Sequence, residues 1–178
     1  MSILDFFKRK NKAFKYEPSK KEIIKELEEN GYPVSIGDGE WLHQLYSVLN
    51  DKQKSAIIMV MHSFCSSFII RESGAGELAD NLMKLKSEFV GVSIEQAQQA
   101  IGSPDILLNT LASINTRRVL DILLSEMQFL LELVVGLTIR YRDGADVNRQ
   151  AVNALYGIFL PLGYRKEEIF KHERFLMY

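Results

Sequence analysis

The sequence predicts an all-α fold: a single compact domain of about eight or nine helices with a long, mostly buried central helix. Apolar residues recur at helical spacing along most of the 178 residues, and residues that favour helix starts and stops separate these stretches. No run alternates apolar and polar side chains as a half-buried strand does. With 47% hydrophobic residues, a chain of this length can bury a core without a metal or a disulfide.

The charge of the chain is unevenly distributed. The net charge is −1, yet residues 1–21 contain seven Lys and Arg against two acidic residues, so that the remainder carries −6. We therefore divide the chain into a basic amphipathic leader, residues 1–18, and an all-α globular domain, residues 19–178. Because the domain is acidic, we expect a basic protein as its partner, and nucleic acid is disfavoured.

Capping residues predict the first helices. Ser19 and Glu22 have the spacing of a capping box, in which each side chain satisfies a free backbone N–H. Residues 32–39 predict a loop, and Asp38 is placed to cap the helix that follows it. The next helix, residues 51 to about 72, carries apolar residues on most of its circumference and is therefore predicted to be buried.

The later boundaries are predicted in the same way. They are the break at residues 73–76, the capping box at Ser93, Ser103 before Pro104, the turn at Asp143-Gly144, the cap at Asp146 and the stop at Gly163. The longest helix is predicted from Arg117 to about Arg142. Residues 164–178 predict a closing helix.

Ligands and nucleophiles of the common active sites are sparse. The three histidines stand at no ligand spacing to one another and the one cysteine has no partner, so we expect neither a metal nor a cofactor. No glycine-rich phosphate-binding loop follows a predicted strand. Cys65 and His62 share the helix that is predicted to be buried, which favours a packed thiol and a packed histidine over a catalytic pair.

Two candidate surfaces for a partner remain, and the first is the loop before the second helix. Tyr32, Asp38, Glu40 and Trp41 place aromatic rings beside carboxylates. This composition is typical of an interface that binds a basic protein. The alternative is that Trp41, the only tryptophan, anchors the loop to the core.

The second candidate surface is a polar line along the longest helix. Asp121, Ser125, Gln128 and Glu132 follow one another at spacings of 4, 3 and 4 residues. The line is either the solvent-facing edge of a mostly buried helix or a groove that a partner contacts. Asp121 and Glu132 lie about 16 Å apart along the helix axis, which is too far for a paired acid–base mechanism.

The leader bears on whether the protein contacts a membrane or RNA, and the apolar stretches and the cysteine count bear on where the protein is located. Five apolar residues among five cations would suit an anionic membrane or RNA, and the alternative is a docked first helix with a solvated charged face. The longest apolar stretch, residues 56–70, is too short to span a bilayer. With a single cysteine, a cytoplasmic location is expected.

One segment resembles a known family. Residues 136–169 form a helix, an Asp-Gly turn, a second helix and a Leu-Gly-Tyr stop, which resembles the helical repeat of tellurite-resistance proteins over about a fifth of the chain. The resemblance departs from the family at residues 148–150, where Asn-Arg-Gln stands in place of an acidic residue. Neither fold nor function is carried over from it.

These observations favour a binding protein over an enzyme. The leading hypothesis is a non-catalytic helical protein that occludes or scaffolds a partner, of the immunity or antitoxin type that neutralises a basic toxin. The first alternative is a peripheral adaptor that binds an anionic membrane or RNA through its leader. The second is a helical enzyme with a non-local site, which would need a deep polar pocket that holds His62 or His43 with a carboxylate.

Overall fold

The computed structural model of the protein describes residues 19–29, 39–69, 74–138 and 144–170. Over these residues the chain forms nine helices and no strand, and one hydrophobic core joins them, so the predicted all-α single domain is confirmed. The predicted leader, the turn at Asp143 and residues 171–178 of the predicted closing helix lie outside the described residues.

The helices differ widely in length, from four to 22 residues. In chain order they are α1 (Lys20–Glu29), α2 (Gly39–Ser47), α3 (Asp51–Phe68), α4 (Gly74–Val90), α5 (Ile94–Ala100), α6 (Pro104–Ala112), α7 (Arg117–Thr138), α8 (Gly144–Phe159) and α9 (Lys166–Ile169).

The core lies around α3 and α7, as the apolar patterns predict. Helix α3 packs against α4, α5, α6, α7 and α8, while α1 and α2 cover α4 and α9 covers α8. The apolar stripe of α7 is fully buried at Val119, Leu123, Met127, Leu130 and Val134. Burial of one such side chain contributes roughly 1.5–3 kcal/mol to stability. The five buried side chains of this stripe therefore stabilise α7 in its place at the centre of the fold.

The predicted helix starts that lie among the described residues are mostly confirmed. Both hydrogen bonds of the capping box form at Ser19 with Glu22, and both form at Ser93 with Gln96. Ser103 caps α6 before Pro104. A capping box between Asn50 and Gln53, which begins α3, was not predicted.

Two predicted boundaries around α3 and α4 are wrong. Helix α3 ends at Phe68 instead of near residue 72, because Ile69 adopts an extended backbone (φ −103°, ψ 125°) in which its β-branched side chain is buried. Residues Gly74–Gly76, predicted as a break, form the first turn of α4. Glycine costs little there because the first N–H groups of a helix have no intrahelical acceptor to lose.

Two predictions about the last helices are also corrected. Asp146 does not cap α8 from outside but lies within its first turn, where it accepts a hydrogen bond of 2.6 Å from Arg149. Among residues 164–170, which are the described part of the predicted closing helix, only the short turn α9 is helical, and Phe170 after it is extended. This change of backbone buries both Ile169 and Phe170, and the Phe170 ring packs edge-on against Tyr156 at 4.9 Å.

A charged cluster that was not predicted from the sequence lies inside the core. The Lys86 ammonium on α4 lies 2.7 Å from both carboxylate oxygens of Glu126 on α7 and donates a hydrogen bond to the Tyr46 hydroxyl on α2. The three residues are only 1–3% exposed. The cluster therefore joins three helices through charges that water does not reach.

The electrostatics of this cluster keep the Lys86 ammonium charged. Burial acts to lower the pKa of Lys86, but the Glu126 carboxylate and the Tyr46 hydroxyl favour the ammonium and raise the pKa above its ordinary value. Burial also raises the pKa of Tyr46, which stays a neutral phenol. Such a pair is costly to break, because removal of one partner leaves an isolated buried charge.

We expect the variants Lys86→Met and Glu126→Leu each to lower the free energy of unfolding by about 3–5 kcal/mol, since each leaves one charge buried without its partner. The double variant should cost much less than the sum of the two. The measurement is urea unfolding followed by circular dichroism, with Tyr46→Phe as a milder comparison of about 1 kcal/mol. Additive losses in the double variant would contradict a coupled pair.

Candidate functional site

A groove of about 410 Å³ opens between α3, α4 and the start of α5. Its apolar lining consists of Cys65, Ile69, Ala79, Met83 and Ile94. Its charged and ionisable lining consists of His62, Asp80, Lys84 and Glu95. Because the apolar residues are buried or half-buried and the three charged residues are exposed, the groove has an apolar floor and a charged rim.

Helical spacing explains how these residues meet. His62 and Cys65 lie three residues apart on α3 and therefore share a face. Asp80 and Lys84 lie four residues apart on α4 and share the facing wall. Gly91, with a φ of +77°, ends α4 and turns the chain so that α5 returns against α3.

The thiol in this groove is not activated. Burial raises the pKa of Cys65 to about 12, and the negative charge of Asp80 acts in the same direction. The His62 ring is half-buried, and its Nε2 lies 3.3 Å from the side-chain nitrogen of Gln98. Both residues are thus half-buried and line the groove, and they do not lie fully inside the core as the sequence predicts.

The rim of the groove is acidic. Asp80 projects from α4 and Glu95 from α5, whereas Lys84 is the one lysine or arginine among the described lining residues. The pKa of Glu95 is held below its ordinary value by its own backbone N–H and by the Ser93 hydroxyl, with a smaller contribution from His62. Glu95 is therefore a carboxylate at neutral pH.

A second, shallower depression of about 340 Å³ lies where the start of α3 meets α6. Amide and hydroxyl groups line most of it. Gln53 donates hydrogen bonds of 3.0 and 3.1 Å to the carbonyl and hydroxyl oxygens of Ser113 there. Since these polar groups already bind one another, the depression is better explained as a junction between α3 and the end of α6.

The polar line on α7 lies where the sequence predicts it, but several of its groups bind the end of the chain. Asp121 accepts hydrogen bonds from the Tyr164 hydroxyl at 2.7 Å and from Arg117 at 3.2 Å. The Arg117 guanidinium also lies 3.5 Å from the centre of the Tyr164 ring. These contacts attach the segment before α9 to the start of α7.

The other members of the line differ from one another in their surroundings. The Gln128 side chain is half-buried and donates to the backbone carbonyl oxygens of Glu168 and Ile169. Ser125 donates to the carbonyl oxygen of Asp121, within the helix. Glu132 is exposed. The line is thus interrupted at Gln128 by α9, whereas Asp121 and Glu132 are both exposed.

The structure describes only part of the first candidate surface, the loop before α2. Tyr32 and Asp38 lie outside the described residues. Glu40 and Trp41 lie in the first turn of α2, with side chains that are outside the described set. Their role as partner-binding residues stays a prediction.

Metal chemistry and membrane insertion can be assessed for the described part of the chain. There, no three His, Cys, Asp or Glu side chains come together as ligands. In the same residues, every helix is too short or too polar to cross a bilayer.

If the Cys65 thiol has a pKa of about 12, its thiolate fraction at pH 7 is only about 10⁻⁵. We therefore expect alkylation of Cys65 by N-ethylmaleimide to accelerate about tenfold per pH unit from pH 7 to 9.5. Mass spectrometry measures the rate without ambiguity because the chain has one cysteine. N-acetylcysteine is the control and should level off near its own pKa; a plateau near pH 8 for Cys65 would indicate an activated thiol.

Comparison with known proteins identifies no relative, so a function can be inferred only from the geometry of the site. Nothing matches this chain among family models, curated proteins or solved structures.

Proposed function

We propose that the protein is a non-catalytic binding protein that occludes a basic partner, of the immunity or antitoxin type. The observation that carries this proposal is the sign and placement of its charge. The described residues contain 17 Asp and Glu against 12 Lys and Arg, a net charge of −5. The buried pair of Lys86 and Glu126 cancels, so the remaining 16 acidic and 11 basic side chains carry the same net charge of −5.

The acidity is concentrated in one stretch of the fold. Between Lys86 and Arg117 there is no lysine or arginine, whereas Glu88, Glu95 and Asp105 are all exposed. This stretch contains α5 and α6, whose other exposed side chains are amides and small apolar groups, together with Ile106 at 39% exposure. A surface that carries carboxylates without cations attracts a basic protein and speeds its association.

The site chemistry supports binding over catalysis. The thiol of Cys65 is held in its protonated form, which is a poor nucleophile. His62 and Asp80 do line one groove, but its floor is apolar, whereas the enzyme alternative needs a deep polar pocket, and Nε2 of His62 faces the Gln98 amide. A general base needs hydrogen-bond access to a substrate proton, and that contact occupies this nitrogen.

The test is co-expression of the full chain with the product of a neighbouring reading frame. We expect an equimolar complex on size-exclusion chromatography with light scattering, and restored growth where the partner alone is toxic. Association should slow at least tenfold between 50 and 300 mM salt, because charge steering is screened (roughly 10 Å at 0.1 M).

Matched charge reversals sharpen this test. Glu88→Lys with Asp105→Lys changes the cation-free stretch, and Asp146→Lys with Glu167→Lys changes exposed acids on α8 and α9 by the same net charge. The first pair should slow association more than the second. Absence of any complex, or association that is indifferent to salt and to both pairs, would contradict the proposal.

A second candidate function rests on the leader. Seven Lys and Arg in residues 1–21, interleaved with apolar residues, favour contact with an anionic membrane or RNA. Deletion of residues 1–15 should then abolish retention on vesicles that contain phosphatidylserine, or on RNA, with a steep salt dependence. Retention that survives the deletion eliminates this candidate.

A further inference from the structure

The α3–α5 groove has the form of a docking site for a short amphipathic segment. Its volume of about 410 Å³ falls in the range of protein sites that enclose a ligand or several side chains. Gly76 and Ala79 line it from α4, and these small residues leave the floor open to side chains from outside. Met83 and Ile69 on the floor are only 4% and 7% exposed, so an incoming apolar side chain would meet a packed surface.

The rim selects the charge of the occupant. Asp80 and Glu95 come from different helices, so their carboxylates stand on separate walls of the groove. From α3 and the residue that follows it the groove receives His62, Cys65, Ser66 and Ile69, none of which is a lysine or arginine. A segment with apolar side chains toward the floor and lysine or arginine at its edges would therefore pair with two carboxylates and meet one ammonium, that of Lys84.

Other occupants fit less well. The described residues of a second copy carry a net charge of −5, so like charges would repel them from an acidic rim. The basic leader, residues 1–18, has the opposite sign, and faster N-ethylmaleimide modification of Cys65 after deletion of residues 1–15 would assign the groove to the leader and overturn the partner as its occupant. An acidic segment would face the same repulsion from Asp80 and Glu95.

We propose that this groove, bounded by Asp80 and Glu95, is where the chain docks a basic amphipathic segment of its protein partner. The inference rests on the proposed function for the kind of partner, and it adds the place of contact and the residues that select it. The ammonium of Lys84 repels the basic segment and therefore weakens its binding, whereas the two carboxylates strengthen it.

Cys65 provides a reporter inside the groove, since it is the only cysteine. The probe is a synthetic 18-residue peptide with leucines at helical spacing and arginines elsewhere, and its counterpart carries glutamates in place of the arginines. We expect the arginine peptide to slow N-ethylmaleimide modification of Cys65 at least fivefold at 150 mM salt. The glutamate peptide should leave the rate unchanged.

Charge-reversal variants locate the contact. Asp80→Lys with Glu95→Lys should weaken binding of the arginine peptide by about tenfold or more and abolish protection of Cys65. Lys84→Glu should strengthen binding several-fold. Asp146→Lys with Glu167→Lys is the matched control, because it makes the same change of net charge on α8 and α9, and it should leave protection intact.

The possible outcomes distinguish failure of the groove as the docking site from failure of the proposed function. Equal losses in the test and control pairs, or binding without protection of Cys65, would overturn the groove as the docking site even where the neighbouring partner binds. Peptide binding in the groove without any complex with that partner would overturn the proposed function instead. Circular dichroism checks each fold, and Asp80→Asn with Glu95→Gln replaces the lysine pair if that pair does not fold.

Discussion

The buried contact among Lys86, Glu126 and Tyr46 constrains how α2, α4 and α7 meet inside the core. An ammonium inside a core must have its carboxylate at hydrogen-bond distance, and here the 2.7 Å contact allows one relative placement of α4 and α7. The Tyr46 hydroxyl adds α2 to the same point. Apolar packing alone would tolerate small shifts of these helices, whereas a buried ion pair does not.

The position of α4 links this contact to the candidate site. Lys86 points to α7, while Asp80 and Lys84 on the same helix line the groove on another side. A rotation of α4 that moved the rim carboxylate would also pull Lys86 away from Glu126. The groove is therefore held by the interior of the protein, and its exposed charges can be varied without disturbing the core. This separation makes the surface suited to recognition, because rigid elements position a binding site more accurately than loops do.

The sequence predicts those features that depend on neighbours along the chain. The capping residues Ser19, Ser93 and Ser103 act on N–H groups two or three positions away, and the α7 stripe is a helical repeat. The ion pair depends on two residues 40 positions apart, so no local rule finds it. The spacing does indicate that each charge lies on an apolar face, because Lys86 follows Leu82 by four residues and Glu126 follows Leu123 by three. It does not indicate that the two opposite charges pair with each other. The groove escaped prediction for the same reason, since Asp80 and Glu95 are brought together by the turn at Gly91.

The central claim is that a basic partner binds where α3, α4 and α5 meet. Hydrogen–deuterium exchange of the full chain, alone and in complex with its neighbouring gene product, tests this claim most directly. We expect slower exchange on binding in residues 62–69, 76–87 and 93–97, with α7 and α8 unchanged. Protection confined to α7, α8 and α9, with no change around the groove, would contradict the account.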